Sequence, residues 1–328
     1  MSGVLVIEEM SGEQLPPTTT ELVAEGGRLA EQLSCGPLTA LLVGNDIQGL
    51  APSLGQIGVE RVLVADSQGS LPPPPQWVLA AAEKAARQVE PDVILLTHAG
   101  AGRELGASLA YRLDTGVVTD CTALRVDGGE LVITKPVFGG SAIAEFSIKS
   151  SPRVATLRPR AFEAVEALNA REAQVEPLSL DAEDLDKIVQ VLEEVREQTT
   201  SGPRLKDAKV IVSGGRGLGG PENWHFVEEL ARVLGAAVGA TRAVTDAGWV
   251  PSSLQVGLTG ATIAPDLYIT VGISGAVQHI AGISGARNVV AINRDADANI
   301  FKYARFGVVG DWKQILPAFT QRLRELRG

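Results

Sequence analysis

Hydrophobic positions along this chain fall into short dense runs separated by longer stretches of helical period. VLVIEE (4–9), TALLVGN (39–45), ERVLVAD (60–66) and DVILLTH (92–98) are aliphatic and β-branched runs too short for helices, which predicts strands buried on both faces. Between them, ELVAEGGRLAEQLS (21–34) and WVLAAAEKAARQVE (77–90) repeat apolar residues at three- and four-residue spacing and predict helices. This alternation predicts a parallel sheet with helices on both faces. From Val117 to about Arg158 the pattern changes to consecutive strands punctuated by Gly-Gly, LRVDGGELVITKPVFGGSAIAEF. That predicts antiparallel strands added to the sheet.

The stretch DAEDLDKIVQVLEEVREQTTSGPRLKDAK (181–209) has a helical centre and ends in the small, polar, Pro/Gly composition of a linker. It places a boundary near residue 203, giving domains over 1–203 and 204–328. The second half restarts with the strand KVIVSGG (209–215) and a helix around Glu222–Leu234. Strands follow near AAVGAT (236–241), DLYITVGI (266–273), NVVAIN (288–293) and FGVVGD (306–311), and a final helix runs from about Asp311. The predicted fold class is therefore α/β, with two open, mostly parallel domains unrelated by any sequence repeat. The second has the strand–glycine–helix order of a Rossmann-like domain.

Composition narrows the function. A length of 328 residues with 45% hydrophobic and 4% aromatic content suits two folded domains whose cores are built from Ala, Val, Leu and Ile. A formal charge of −10 argues against a nucleic-acid partner, because phosphate binding needs clustered Lys and Arg. No apolar run reaches the roughly 18 residues that span a bilayer, so no membrane insertion is expected. The start, MSGVLVIEEMSGE, lacks the basic stretch of a signal peptide, and Cys35 and Cys121 are isolated. Both point to a reducing, cytoplasmic setting without a disulfide or zinc site.

Candidate chemistry concentrates in the second half. The tetrapeptide Gly-Ile-Ser-Gly occurs twice, at Gly272–Gly275 and Gly282–Gly285, with His279 between. The first copy ends a strand, and Ser274 is expected to cap a helix over GAVQHIAG whose free amides favour an anion. Gly282 is expected to stop that helix as a left-handed cap, making the second copy a turn. Arg216 stands in the glycine-rich SGGRG after the first strand of this half, either as a diphosphate ligand or as a surface arginine at a turn. ATRAVTDAGWVPSSLQVGLTG (240–260) is almost free of helical pattern and reads as a long polar loop, more often functional than idle. Asn293 and Asp311 end strands, either facing an adenosine or capping helices. His279 is either a satisfied core histidine or a donor to developing negative charge. His98 and His225 receive no role, and no Ser/His/Asp constellation, HExxH motif or Walker A loop is visible. The residues alone thus imply a C-terminal half that binds a nucleotide-containing cofactor.

VSGGRGLGGPENW (212–224), VGATRAVTDAGWVPSSLQVGLTG (238–260), APDLYITVGISGAVQHIAGI (264–283) and VVAINRDADANIF (289–301) together resemble the alpha subunit of electron transfer flavoprotein. The likeness continues more loosely through LLTHAGAGRELGASLAYRLDTGVVTDC and ITKPVFGGSAIAEF. It implies FAD in the C-terminal domain and a beta subunit as partner, with the N-terminal domain building the interface between them. Electrons would arrive from acyl-CoA or other dehydrogenases, as in fatty acid β-oxidation, and leave to an acceptor such as a quinone oxidoreductase. Such a protein is an electron carrier and not an enzyme; the alternative is a flavin- or nicotinamide-dependent oxidoreductase subunit. By resemblance, Arg242 lies against the flavin near N5, Thr259 bonds the N5/O4 edge and His279 the O2 carbonyl. Thr241, Gln255, Val256, Gly257 and Leu258 line the same loop. Arg216 with Ser274, Gly275, Ala276, Val277 and Gln278 would hold the pyrophosphate and ribityl region, with Asn293 and Asp311 toward the adenosine. Leu258 stands where the family has a second glutamine, Asn299 where proline is usual and Arg305 where aspartate is common.

Overall fold

The computed structural model describes residues 3–10, 14–67, 73–140, 142–164, 172–180, 192, 203–205 and 208–327. It divides into one unit of Met1–Val137 with Ile143–Arg196, and another of Phe138–Ala142 with Glu197–Gly328. The helix expected within 181–209 lies outside the described residues.

In the first unit β1 (Val4–Glu9), α1 (Pro17–Gln32), β2 (Leu38–Gly44), α2 (Ala51–Gln56), β3 (Arg61–Asp66), α3 (Pro75–Val89), β4 (Val93–Thr97) and α4 (Gly102–Arg112) alternate as the hydrophobic pattern predicts. β5 (Val117–Cys121), β6 (Ala123–Asp127), β7 (Glu130–Val137), β8 (Ala142–Phe146), β9 (Arg153–Leu157) and β10 (Gln174–Pro177) follow. The main sheet has seven strands in the order β10-β3-β2-β1-β4-β9-β5, all pairing in parallel. Strand side chains alternate between two cores, as a period of two requires. Val4 and Val6 face Leu22 and Leu29 of α1, whereas Leu5 and Ile7 face Val78 and Ala82 of α3. Each such buried side chain contributes roughly 1.5–3 kcal/mol.

The antiparallel segment differs from expectation. β6 and β7 do pair antiparallel around Gly128–Gly129, but with β8 they form a separate three-stranded sheet. Val154, Ala155 and Thr156 of β9 are fully buried in parallel pairing between β4 and β5, so the strand that the segment adds to the main sheet is parallel and internal. β10 (QVEP) was not predicted; its proline is tolerated because the strand lies at a sheet edge.

The second unit contains β11 (Val210–Gly214), α5 (His225–Leu234), β12 (Ala237–Ala240), α6 (Arg242–Thr245), β13 (Leu267–Val271), α7 (Val277–Ile283), β14 (Val289–Asn293), β15 (Phe306–Val309) and α8 (Trp312–Arg327). Its five parallel strands run β12-β11-β13-β14-β15. The chain leaves β11 for β12 on one side and returns to β13 on the other. Such a reversal opens a crevice at the carboxyl ends of β11 and β13, where open α/β sheets receive ligands. The polar loop expected over 240–260 is partly structured, since it holds α6 and a tight turn at Ser252–Leu254. No helix among the described residues is long and apolar enough to cross a membrane.

Candidate functional site

Two glycine loops meet at that crevice with no side chain between them. Gly215 donates its amide to Val271 O at 2.9 Å and Gly217 to Gly272 O at 3.0 Å. A Cβ on Gly217 would lie 2.7 Å from Gly272 O, so only bare backbone fits. Trp312 Nε1 seals the underside by donating to Gly217 O at 3.2 Å. Arg216 projects from this junction, exposed and without an ion-pair partner among the described residues.

The expectation that Ser274 caps a helix is corrected. α7 begins three residues later, capped by the extended backbone of Ala276. Gly272 (φ 64°) and Gly275 (φ 80°) take left-handed conformations that a helix start excludes. Gly275 is also pressed against the Asn299–Ile300 backbone, where a Cβ would sit 2.3 Å from Ile300 N. Ile300 N donates to Ser274 O at 3.1 Å and Asn299 Nδ2 to Gly275 O at 2.7 Å. The result is a run of amides, Ser274 to Gln278, with no acceptor among the described residues. Consecutive free N–H groups of this kind suit a diphosphate.

Gly282 is corrected as well. It lies inside α7, and the helix ends on Ser284 in ordinary right-handed conformation. Its missing side chain makes room for the neighbouring loop, because a Cβ there would be 2.4 Å from Gly257 Cα.

That loop, 255–261, carries the remaining candidates. Val256 N donates to Ala240 O at 2.9 Å, Gly257 N to Ala261 O at 3.1 Å and Leu258 N to Gln278 O at 2.8 Å. The first and third of these bonds fasten the loop to β12 and α7, and the second closes the loop on itself. His279 pins it from below. Its Nδ1 lies 3.1 Å from Val256 O and its Nε2 3.0 Å from Tyr268 Oη. A carbonyl only accepts, so Nδ1 carries the proton, and Tyr268 donates to Nε2. Burial pushes the imidazole down to about 4, so the ring is neutral at physiological pH. Thr245 Oγ1 lies 2.9 Å from Gln255 Oε1, and Gln255 Nε2 donates to Thr259 Oγ1 at 2.9 Å. Arg242 Nε donates to Asp246 Oδ2 at 3.1 Å in an exposed pair, which such exposure makes worth about 0–1 kcal/mol. Thr241 precedes α6 with extended backbone.

Asn293 and Asp311 stand at their strand ends with side chains already engaged. Asn293 Nδ2 donates to Ile273 O at 2.9 Å and its Oδ1 accepts from Asp295 N at 3.0 Å. Asp311 Oδ1 accepts from Lys313 N at 3.0 Å, capping α8. The first unit's groove of about 620 Å³ beside α1, rimmed by Glu31, Glu60 and Glu163, contains none of the candidate residues. Sequence reasoning missed Thr245, Tyr268, Asn299 and the packing role of Gly282. None belongs to a residue type that announces a ligand site.

The donor set fits an anionic, carbonyl-bearing ligand: two exposed guanidinium groups, free amides and the hydroxyls of Thr259 and Ser274. An open parallel sheet with this set at its strand reversal defines a nucleotide-cofactor-binding α/β protein. Residues 4–183 match the family described as electron transfer flavoprotein domain, and residues 204–284 the electron transfer flavoprotein FAD-binding domain. The chain is 36% identical over 324 residues to the electron transfer flavoprotein subunit alpha of Bacillus subtilis, covering 98% of each. It is 37% identical over 327 residues to protein FixB of Clostridium saccharobutylicum, covering 99% of this chain and 97% of that one. Protein FixB of Bradyrhizobium diazoefficiens is 38% identical over 329 residues, with 98% and 88% covered. The chain belongs to the electron transfer flavoprotein alpha subunit family, and FAD is the cofactor of its second unit.

Proposed function

We propose that this chain pairs with a beta subunit to form a cytoplasmic electron carrier. The complex would take electrons from acyl-CoA or other dehydrogenases and pass them to an acceptor such as a quinone oxidoreductase. Residues 204–328 hold the flavin and residues 1–203 build the subunit interface. The observation that carries this reading is the crevice where Arg216, the amides of Ser274–Gln278 and the 255–261 loop converge on one end of a parallel sheet.

When bound, FAD supplies the redox chemistry; the protein binds it, orients it and sets its potential. Arg216 and the Ser274–Gln278 amides hold the diphosphate, with Gly275 keeping the approach close. Asn293 and Asp311 shape the adenosine side by fixing the loops around it. Arg242 lies against the ring and Thr259 faces its N5/O4 edge. Thr241, Gln255, Val256, Gly257 and Leu258 form the wall. His279 does not serve as the O2 donor its place in the sequence suggested: both ring nitrogens are engaged by Val256 O and Tyr268 Oη, so it holds the loop from beneath and Arg242 provides the positive charge. A unit charge 4 Å from negative charge arriving on the ring is worth about 1 kcal/mol in water and about 4 kcal/mol once a ligand screens it from solvent.

Co-expression with the companion beta subunit tests this. The expected complex carries one FAD per alpha chain, and Arg242→Ala lowers the flavin potential while Arg216→Ala chiefly weakens FAD binding. A complex that purifies without flavin and takes none up on reconstitution refutes the reading. Reduction by NADH alone would favour an oxidoreductase subunit instead.

A further inference from the structure

Thr245, Gln255 and Thr259 form a chain of side chains along the cofactor loop whose protons do not divide evenly. Thr245 Oγ1 lies 3.0 Å from Arg242 O and 2.9 Å from Gln255 Oε1, while Gln255 Nε2 lies 2.9 Å from Thr259 Oγ1. Two carbonyl oxygens therefore face the single proton of Thr245, and the proton of Thr259 has no acceptor within the chain. Turning the Gln255 amide by half a rotation exchanges its oxygen and nitrogen at almost no change in shape. Thr245 then donates to Arg242 O and accepts from Nε2, and Thr259 donates to Oε1. Every proton now has its own acceptor.

The two directions differ in what they offer outward. In the first, Thr259 has a free proton and is a donor. In the second, its proton is used and only lone pairs face out. Thr259 is exposed at the loop surface and Gln255 is half-buried, so the choice is read directly by whatever sits against Thr259. We propose that Gln255, anchored by Thr245, is a two-state adaptor that lets Thr259 present either a donor or an acceptor to the flavin edge. An oxidised flavin N5 accepts a hydrogen bond, and after two-electron reduction with one proton taken from solvent N5–H donates one, so one site satisfies both without moving backbone. The inference rests on the placement of Thr259 at that edge.

Thr245 is the positioning residue. Its hydroxyl is tied to α6 through Arg242 O, and without it one end of the Gln255 amide loses its partner in either direction. The test uses the FAD-loaded complex with its beta subunit as wild type, Thr245→Val and Thr245→Ser. Flavin midpoint potentials and FAD dissociation constants are measured together with reduced-minus-oxidised infrared spectra of protein carrying 13C-labelled glutamine. Thr245→Val is expected to retain FAD but change the ratio of affinities for the two redox states by up to about tenfold. Tenfold corresponds to about 30 mV for this two-electron couple. Thr245→Ser is expected to restore the wild-type value. The wild-type spectrum is expected to show a glutamine amide shift on reduction that disappears in Gln255→Ala. Unchanged potentials in Thr245→Val, a serine variant that behaves like valine, or no glutamine shift in the wild type each overturn the adaptor. Failure of the wild-type complex to bind FAD overturns the underlying site reading instead.

Discussion

Replacing Gly282 with alanine sets two well-understood effects against each other. Gly282 lies within α7, where alanine is favoured over glycine by about 1 kcal/mol. The new methyl, however, would lie 2.4 Å from Gly257 Cα, 2.7 Å from Gly257 N and 2.8 Å from Gly257 C. Carbon–carbon contacts settle near ~3.5–4.0 Å, so the loop must retreat by about 1 Å. All three atoms are backbone, and none can rotate away. Overpacking of this kind costs about 1–3 kcal/mol. The retreat also loosens Leu258 N to Gln278 O and Ile263 N to Gly282 O, both 2.8 Å, at about 0.5–1.5 kcal/mol each. The net expectation is a loss of about 2 kcal/mol, lowering the unfolding temperature of the second unit by roughly 5–10 °C. FAD affinity should fall with it, since the displaced loop carries Gln255 and Thr259. Gly27 is the matched control. It too lies inside a helix, but its nearest neighbour for a Cβ is Leu38 Cδ2 at 3.9 Å. Gly27→Ala should therefore stabilise the first unit by about 0.5–1 kcal/mol. Calorimetry of both variants decides the matter. A Gly282→Ala protein as stable as wild type, with unchanged FAD affinity, would show that the loop does not rest on the helix.

Other residues make separable predictions. Burial pushes Glu8 up to about 8 from its ordinary 4.5, so folding favours the protonated acid. That stability is full below the unfolded value and is lost as pH rises through about 8. Urea midpoints of the first unit should thus fall between pH 5 and 8.5, and Glu8→Gln should flatten the slope; an equal slope in both proteins contradicts this. His279 has the opposite sign. Its pKa is lowered to about 4, so its contribution is present above the unfolded value near 6.5 and declines as pH falls toward 4. Nitrogen NMR should find a neutral Nδ1–H ring from pH 7 to 5, and a midpoint near 6.5 would refute the buried pairing with Tyr268. Leu258 is 64% exposed, so Leu258→Gln should leave stability within about 0.5 kcal/mol while slowing FAD release; faster release would argue against a place at the cofactor wall.

What the hydrophobic pattern revealed depended on whether neighbours in space were also neighbours in sequence. β1 to β4 were readable because burial on both faces leaves a run of aliphatic residues that nothing else explains. The hairpin at Gly128–Gly129 was readable as a local turn, but the sheet it would join was not, because its third strand and the insertion of β9 between β4 and β5 are both set by pairings distant in sequence. β10 has no such run, since QVEP is an edge segment with little buried surface. Around the site, the motifs located the right loops and misjudged their backbone. Ser274 reads as a cap until the Asn299–Ile300 segment is brought against Gly275, and Gly282 reads as a stop until Gly257 is brought against it. Tyr268 looked like one more strand residue, because nothing local reveals that His279 lies beside it.

The meeting of Gly217 with Gly272 has a kinetic consequence. Where backbone lies on backbone, no rotamer intervenes and neither loop can shift without the other, so the surface under a ligand is ordered before the ligand arrives. Little conformational entropy is left to surrender on binding. Affinity gained in this way is expressed as residence time and not as speed of capture. Flavin should consequently remain with the protein through dilution and chromatography.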